Sequence, residues 1–373
     1  MKLRVPHYYD SFVCTASECR DNCCFGGWQI EIDDETVKYY QTVEGSFGDM
    51  LRDSLDYTDV PCIKLKNGVC PFLDTDNLCR IYKEIGPEHM GFVCTRFPRF
   101  SEYYGNIKED GIGLACEEAA RLIFEDKERF HYTERNIDEE PYEDSEYDDR
   151  ACRALFCIRE QIYELMDNPD IGFRDKLCIL IDSLFEVQNL INVNDYDSIA
   201  SYRLSEYTGD VKEFSEEMVK EIWYAFLEME SINESWTEFT DELINSIHPE
   251  GVDNTCDYMD MVNTFNVQSF DFCGYDKLVK YFIHRYFMKS AYDHNVFGKI
   301  QFIISCLVII KDMDIFRYMS DNKFTLKDRL DNIHIFSREV EYSEDNLEIL
   351  AEEFIFGEVF DREGLLAVVK NIF

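Results

Sequence analysis

The chain has 373 residues, 46% of them hydrophobic, enough to build a sizeable core in one large or two to three smaller domains without help from disulfides. Its formal net charge is −39, and 55 of its 76 acids but only 25 of its 37 bases fall after residue 120. A surface of that sign repels a phosphate backbone, so direct nucleic-acid binding is not expected, whereas a lysine-rich partner would be steered towards it.

The opening segment, Met1 to Asp10, carries two basic residues but no following apolar run, so it reads as neither a secretory signal nor a membrane span. The most apolar stretch, Ile300 to Ile310, is interrupted by Gln301 and Ser305 and is too short to cross a bilayer; it reads as a buried helix. A cytoplasmic location, away from membranes, is therefore expected. Nine of the 15 cysteines lie in the first 116 residues. An odd count without a signal peptide argues against a disulfide framework and for metal or redox chemistry.

Along that first segment, glycines and prolines recur (Gly26-Gly27, Gly68, Gly86-Pro87, Gly91, Pro98, Gly105), which predicts a loop-rich region with short elements held by a metal. Asp33-Asp34-Glu35-Thr36 reads as an acidic helix start, Leu78–Ile85 as a helical turn ended by Gly86, and Ala115–Phe130 as a helix with Ala119, Leu122, Ile123 and Phe130 on one face. The acidic stretch Ile137 to Asp149 cannot bury much and reads as a linker or exposed loop. Beyond it, apolar spacing near 3.6 predicts helices over Ala151–Met166, Phe173–Leu190, Val211–Met229, Glu234–Ile247, Tyr275–Tyr292, Gly298–Lys311 and Leu347–Phe356. The expected fold is mainly α: a cysteine-cluster metal-binding domain over 1–136, the acidic segment 137–149, and an acidic all-helical domain over 150–373.

Eight thiols are the candidate ligands: Cys14, Cys19, Cys23, Cys24, Cys70, Cys79, Cys94 and Cys116, with Cys19, Cys23, Cys70 and Cys79 foremost. Four soft thiolates satisfy zinc or one corner each of a [4Fe–4S] cube. Paired C-x2-C knuckles, common in structural zinc sites, are missing, and the thiols are instead dispersed as if loops closed around a larger object. Neighbouring side chains diverge, so Cys23 and Cys24 are not expected to face one metal atom together. Arg96 and Arg99, beside Cys94, would offset the charge of thiolates or else pair with surface acids. Cys62 reads as a core residue, as do Cys152, Cys157, Cys178, Cys256, Cys273 and Cys306 on apolar faces of predicted helices.

The run Cys19–Trp28 with its Cys-Cys pair, Gly68-Val-Cys70-Pro-Phe-Leu, Leu78-Cys79-Arg-Ile-Tyr, Cys94-x-x-Phe97-Pro-Arg99, Cys116-x-Glu118-Ala-Ala-Arg-Leu and Tyr281–Phe287 together resemble the flagellin lysine-N-methylase family. That family sits within a broader group of zinc- or iron-chelating cysteine-cluster proteins. The resemblance implies transfer of methyl groups from S-adenosylmethionine to lysines of flagellin by a protein carrying a [4Fe–4S] cluster, with zinc as the alternative metal. Two departures stand out. The spacing Cys14-x4-Cys19-x3-Cys23-Cys24 is looser than the group's Cys-x2-Cys-x2-Cys-Cys, and Glu117 follows Cys116 where proline is usual.

The residues themselves show no strand–GxGxxG–helix unit and no Cys-x3-Cys-x2-Cys run, so the methyl-donor site is not legible. Lysine must be neutral to accept a methyl group, which requires a base or a desolvated pocket. His284 is a candidate base, weighed against a core role on an aromatic helix face. The competing function is a non-catalytic metal-binding or redox-sensing protein with a helical docking domain.

Overall fold

In the computed structural model, residues 1–373 are described except 59, 142–146, 206, 208, 210, 250, 252–253 and 270–273. The middle of the acidic 137–149 stretch and Cys273 lie outside the described residues. The first strand, β1 (Lys2–Pro6), sits inside a four-stranded sheet of order β4-β5-β1-β6, formed with β4 (Arg99–Tyr104), β5 (Ile107–Ile112) and β6 (Tyr132–Asn136). β1 runs parallel to β5, in register Lys2↔Ile107, and antiparallel to β6, while β4 and β5 form a hairpin turned at Gly105 (φ +60°). The segment between β1 and β4 therefore leaves the sheet and returns to it, and seven of the eight candidate thiols ride on that excursion.

The sheet was hidden from pattern reading because its central strand buries charge. Lys108, Glu109 and Asp110 are consecutive and all buried. Glu109 is stabilised there by a two-pronged pair with fully buried Arg159, at 2.7 and 2.6 Å, and by Arg4 at 3.3 Å.

Within the excursion lie α1 (Asp34–Thr42), α2 (Gly45–Asp53), a two-stranded pair of β2 (Leu55–Asp56) with β3 (Cys62–Ile63), α3 (Arg80–Ile85) and α4 (Phe92–Arg96). Asp33 caps α1 by accepting the Thr36 N–H at 2.9 Å, as the acidic start predicted, and Gly86 ends α3 at φ +97°. These elements enclose a small apolar cluster that includes Tyr40, Leu51, Ile63, Cys70 and Phe72, apart from the main core. α5 (Glu117–Glu125) stops short of the expected end at Phe130. Lys277 Nζ closes it from outside, donating to the carbonyls of Phe124 at 2.7 Å and Ile123 at 3.3 Å, and Phe130 packs instead on Tyr163.

The remaining chain is helical: α6 (Asp149–Asp167), α7 (Phe173–Asn192), α8 (Tyr196–Ser201), α9 (Glu216–Leu227), α10 (Glu234–Ile247), α11 (Thr255–Ser269), α12 (Tyr275–Tyr286), α13 (Ser290–Asp293), α14 (Val296–Asp321), α15 (Leu326–Val340), α16 (Glu344–Phe356) and α17 (Arg362–Ile372). α14 is the axis, buried on all sides from Ile300 to Ile315 apart from Gln301 and packed against α7, α15, α10 and α12. The expected Tyr275–Tyr292 helix is broken by a tight turn at Phe287–Lys289. α2, α4, α8, α11, α15 and α17 were not foreseen. α15 shows why: its buried side includes Arg329, Asn332, His334, Ser337, Arg338 and Glu339, so polarity masks its 3.6 period. No helix among the described residues is long and apolar enough to cross a membrane.

Candidate metal centre

The first thiols are placed by turns. Cys23–Phe25 form one 3-10 turn, capped by Asn22, whose side-chain oxygen accepts the Cys24 N–H at 2.9 Å. The Cys70 N–H donates to the Cys24 carbonyl at 2.9 Å, tying the two loops together. Trp28 requires a glycine at position 26, because a Cβ on Gly26 would sit 2.5 Å from the indole ring. Cys79 stands at the start of α3, and Cys94 lies within α4.

Five of the eight candidates come together. Cys23, Cys24, Cys70, Cys79 and Cys94 line one cavity of about 70 Å³, walled by Trp28, Tyr40, Ile63, Ile81, Met90 and Phe97. Adjacent Cys23 and Cys24 do not diverge as expected, because the 3-10 turn brings both to the same cavity. Their acidities are linked. The Cys24 thiol hydrogen-bonds Cys23 and Cys70, which raises its own pKa and lowers those of its two neighbours. Burial raises Cys79 and, with the neighbouring sulfurs, pushes Cys94 up to about 12.

The other three gather elsewhere. Cys116 immediately precedes α5, its thiol pushed up to about 12 by burial and, less strongly, by nearby Cys19 and Cys14. The Cys19 Sγ lies 3.7 Å from Glu117 Oε2, and burial followed by that carboxylate pushes its thiol up to about 11. Cys14 is exposed. The looser spacing at the chain start thus leaves Cys14 and Cys19 outside the five-thiol cavity.

Among the described residues no three His, Cys, Asp or Glu side chains are already arranged to hold a metal ion. The donor chemistry at the cavity is nonetheless that of a thiolate site: soft sulfurs from three separate segments and the 3-10 turn, in apolar surroundings, whose protons a metal would displace on binding. Arg96 hydrogen-bonds Ser101 and Arg99 lies 4.9 Å over the Phe12 ring, and among the described residues neither pairs with a carboxylate or lines the cavity.

Of the thiols read as core, Cys152, Cys178 and Cys306 are buried; Cys157 and Cys256 are exposed, contrary to expectation, and Cys62 is half-buried on the small sheet. His284 follows the core reading. It is 2% exposed, its Nδ1 is 3.0 Å from the Tyr132 hydroxyl, and burial pushes it down to about 4, so it is neutral. In the same stretch of α12, Tyr281 and Tyr286 donate to the buried Glu341 carboxylate at 2.9 and 2.8 Å. Sequence reading missed the apolar wall and the contacts of the Asp21 carboxylate, two residues before Cys23, with His334 and Arg338. Gly26-Gly27 ahead of Trp28 was the local signal for the wall; nothing local marks contacts made some 310 residues away.

A family model described as the FliB lysine N-methylase C-terminal domain matches residues 159–368. The chain is 26% identical over 200 residues to proteins named "Lysine-N-methylase" in Salmonella typhimurium and Salmonella choleraesuis, covering 51% of this chain and 48% of each relative. It is 33% identical over 129 residues to a "Flagellar biosynthetic protein FliU" of Salmonella muenchen, covering 32% of this chain and 76% of that protein. The chain thus spans about half the length of the two lysine-N-methylases it matches. No solved structure matches it.

Proposed function

Because the chain belongs to the FliB lysine N-methylase family, whose C-terminal domain model matches more than half of it, we propose that it transfers methyl groups from S-adenosylmethionine to lysine side chains of flagellin in the cytoplasm, and that its amino-terminal thiols hold a metal, a [4Fe–4S] cluster in preference to zinc. The family match and the relatives named lysine-N-methylase support the methyl transfer. The observation that carries the metal reading is the convergence of Cys23, Cys24, Cys70, Cys79 and Cys94 on one cavity. More thiols than the four a single metal site requires converge there, and Cys14, Cys19 and Cys116 supply a second group.

In the transfer, the neutral lysine nitrogen attacks the sulfonium methyl, the methyl–sulfur bond breaks, and the donor leaves as the thioether. The proton on the starting ammonium must first pass to a base or to water. The acidic helical region, 150–373, then has a task of its own, to draw and hold a lysine-bearing segment by long-range charge.

Purification without oxygen tests the metal reading. The protein should be brown, with a broad charge-transfer band, and contain iron and acid-labile sulfide. Zinc without sulfide would replace the cluster by a zinc site, and the absence of both metals would remove the metal reading.

A further inference from the structure

The loop that carries Cys19, Cys23 and Cys24 does not stand alone. The Asp21 carboxylate accepts from His334 Nε2 at 2.8 Å and from the Arg338 guanidinium, both on α15. Arg338 also donates to the Phe25 carbonyl at 3.3 Å and lies 5.6 Å over the Trp28 ring. Arg20 bridges Glu117 at 2.6 Å and Asp331 at 2.9 Å. Gly27, at φ +77°, passes so close to the chain before α10 that a Cβ would lie 3.1 Å from the Ile232 carbonyl oxygen. The Ile232 N–H is in turn held by Glu339 of α15 at 2.9 Å. Trp28 stacks on Tyr342, just past α15, with ring centroids 5.5 Å apart.

These contacts bracket the thiols. Asp21 precedes Cys23 by two residues, Phe25 follows Cys24, and Trp28 is part of the cavity wall. His334 and Arg338 are 3% and 7% exposed, so the α15 side of these contacts is buried, while the Asp21 carboxylate they hold is 34% exposed. α15 is itself anchored, by a capping box between Thr325 and Asp328 and by packing on α14 and α5.

We propose that α15 of the helical region is the seat of the thiol loop, with Asp331, His334 and Arg338 as positioning residues for metal binding, so that metal loading and docking of the loop on α15 are thermodynamically coupled. A loop already held in place loses less conformational freedom when its thiols close on a metal, and so binds it more tightly. By linkage, the metal tightens the docking by the same factor. The inference rests on the metal reading above.

The test compares the full chain with Arg338→Met, Arg338→Lys and Asp331→Asn, all purified without oxygen. Metal loss to an excess chelator is followed by the charge-transfer band, and hydrogen exchange over residues 326–340 is measured before and after stripping. Arg338→Met should lose metal faster, on the order of ten-fold, Arg338→Lys should recover part of the retention, and stripping the parent chain should speed exchange in α15. Asp331→Asn, at a more exposed contact, should show a smaller effect in the same direction and serves if Arg338→Met does not fold. Equal retention in all chains, with α15 exchange unchanged by stripping, would overturn the coupling and leave the metal reading standing. A parent chain that retains no metal would overturn both.

Discussion

His248 shows how a residue invisible as a motif can matter to stability. Its two ring nitrogens lie 2.8 Å from Glu216 and 2.8 Å from Asp312, and Asp312 also accepts from Trp223 and Tyr258, all of them buried. Burial alone would lower its pKa, but the two carboxylates outweigh it and raise the imidazole from 6.5 to about 9. A pKa raised on folding stabilises fully below the unfolded value and is lost as pH rises through the folded one. His248→Gln should therefore cost about 2 to 3 kcal/mol at pH 6, with the gap to the parent chain narrowing between pH 6.5 and 9. Thermal unfolding across that range checks it, and a gap that widens with pH would contradict it. At the thiols, Cys→Ser at 23, 24, 70, 79 or 94 should lower the metal content, whereas Cys152→Ser and Cys178→Ser should not. The concentration of cysteines was legible because thiols are costly to cluster by chance. Their division into five and three was not, because chain distance does not report which loops the β1-to-β4 excursion folds together.

Among elements, α2 makes a sharp case. Gly48 is buried, and a Cβ there would overlap the Val43 carbonyl oxygen, a backbone atom that cannot step aside. Gly48→Ala should destabilise the chain by about 3 kcal/mol, measured by denaturant unfolding, and should release metal with it. Thr325→Ala removes the capping box of α15 and should cost about 1 kcal/mol, with Thr325→Ser close to neutral. Helices with one apolar face were legible: Glu234–Ile247 starts and stops where its spacing places it, and the structure adds Asn233 as its cap, accepting the Ser235 N–H at 3.1 Å. Elements that bury charge were not. β5 hides Lys108-Glu109-Asp110 and α15 hides His334 and Arg338, each stabilised by a partner far along the chain.

For the whole molecule, charge and family point the same way. The helical region carries most of the excess acid, and the family model matches within it. If that acid draws a lysine-bearing segment of flagellin, affinity should fall steeply as salt rises from about 0.05 to 0.5 M, where the screening length shrinks to a few ångströms. An affinity indifferent to salt would assign the acid to solubility alone. The most direct measurement is the mass of flagellin peptides after incubation, without oxygen, with the metal-loaded chain and S-adenosylmethionine. Added methyl groups on lysine, lost when Cys24→Ser replaces the parent chain, are the predicted result. Unmodified lysines in the presence of the loaded parent chain would contradict the methylase reading and favour a metal-binding protein that docks a partner without modifying it.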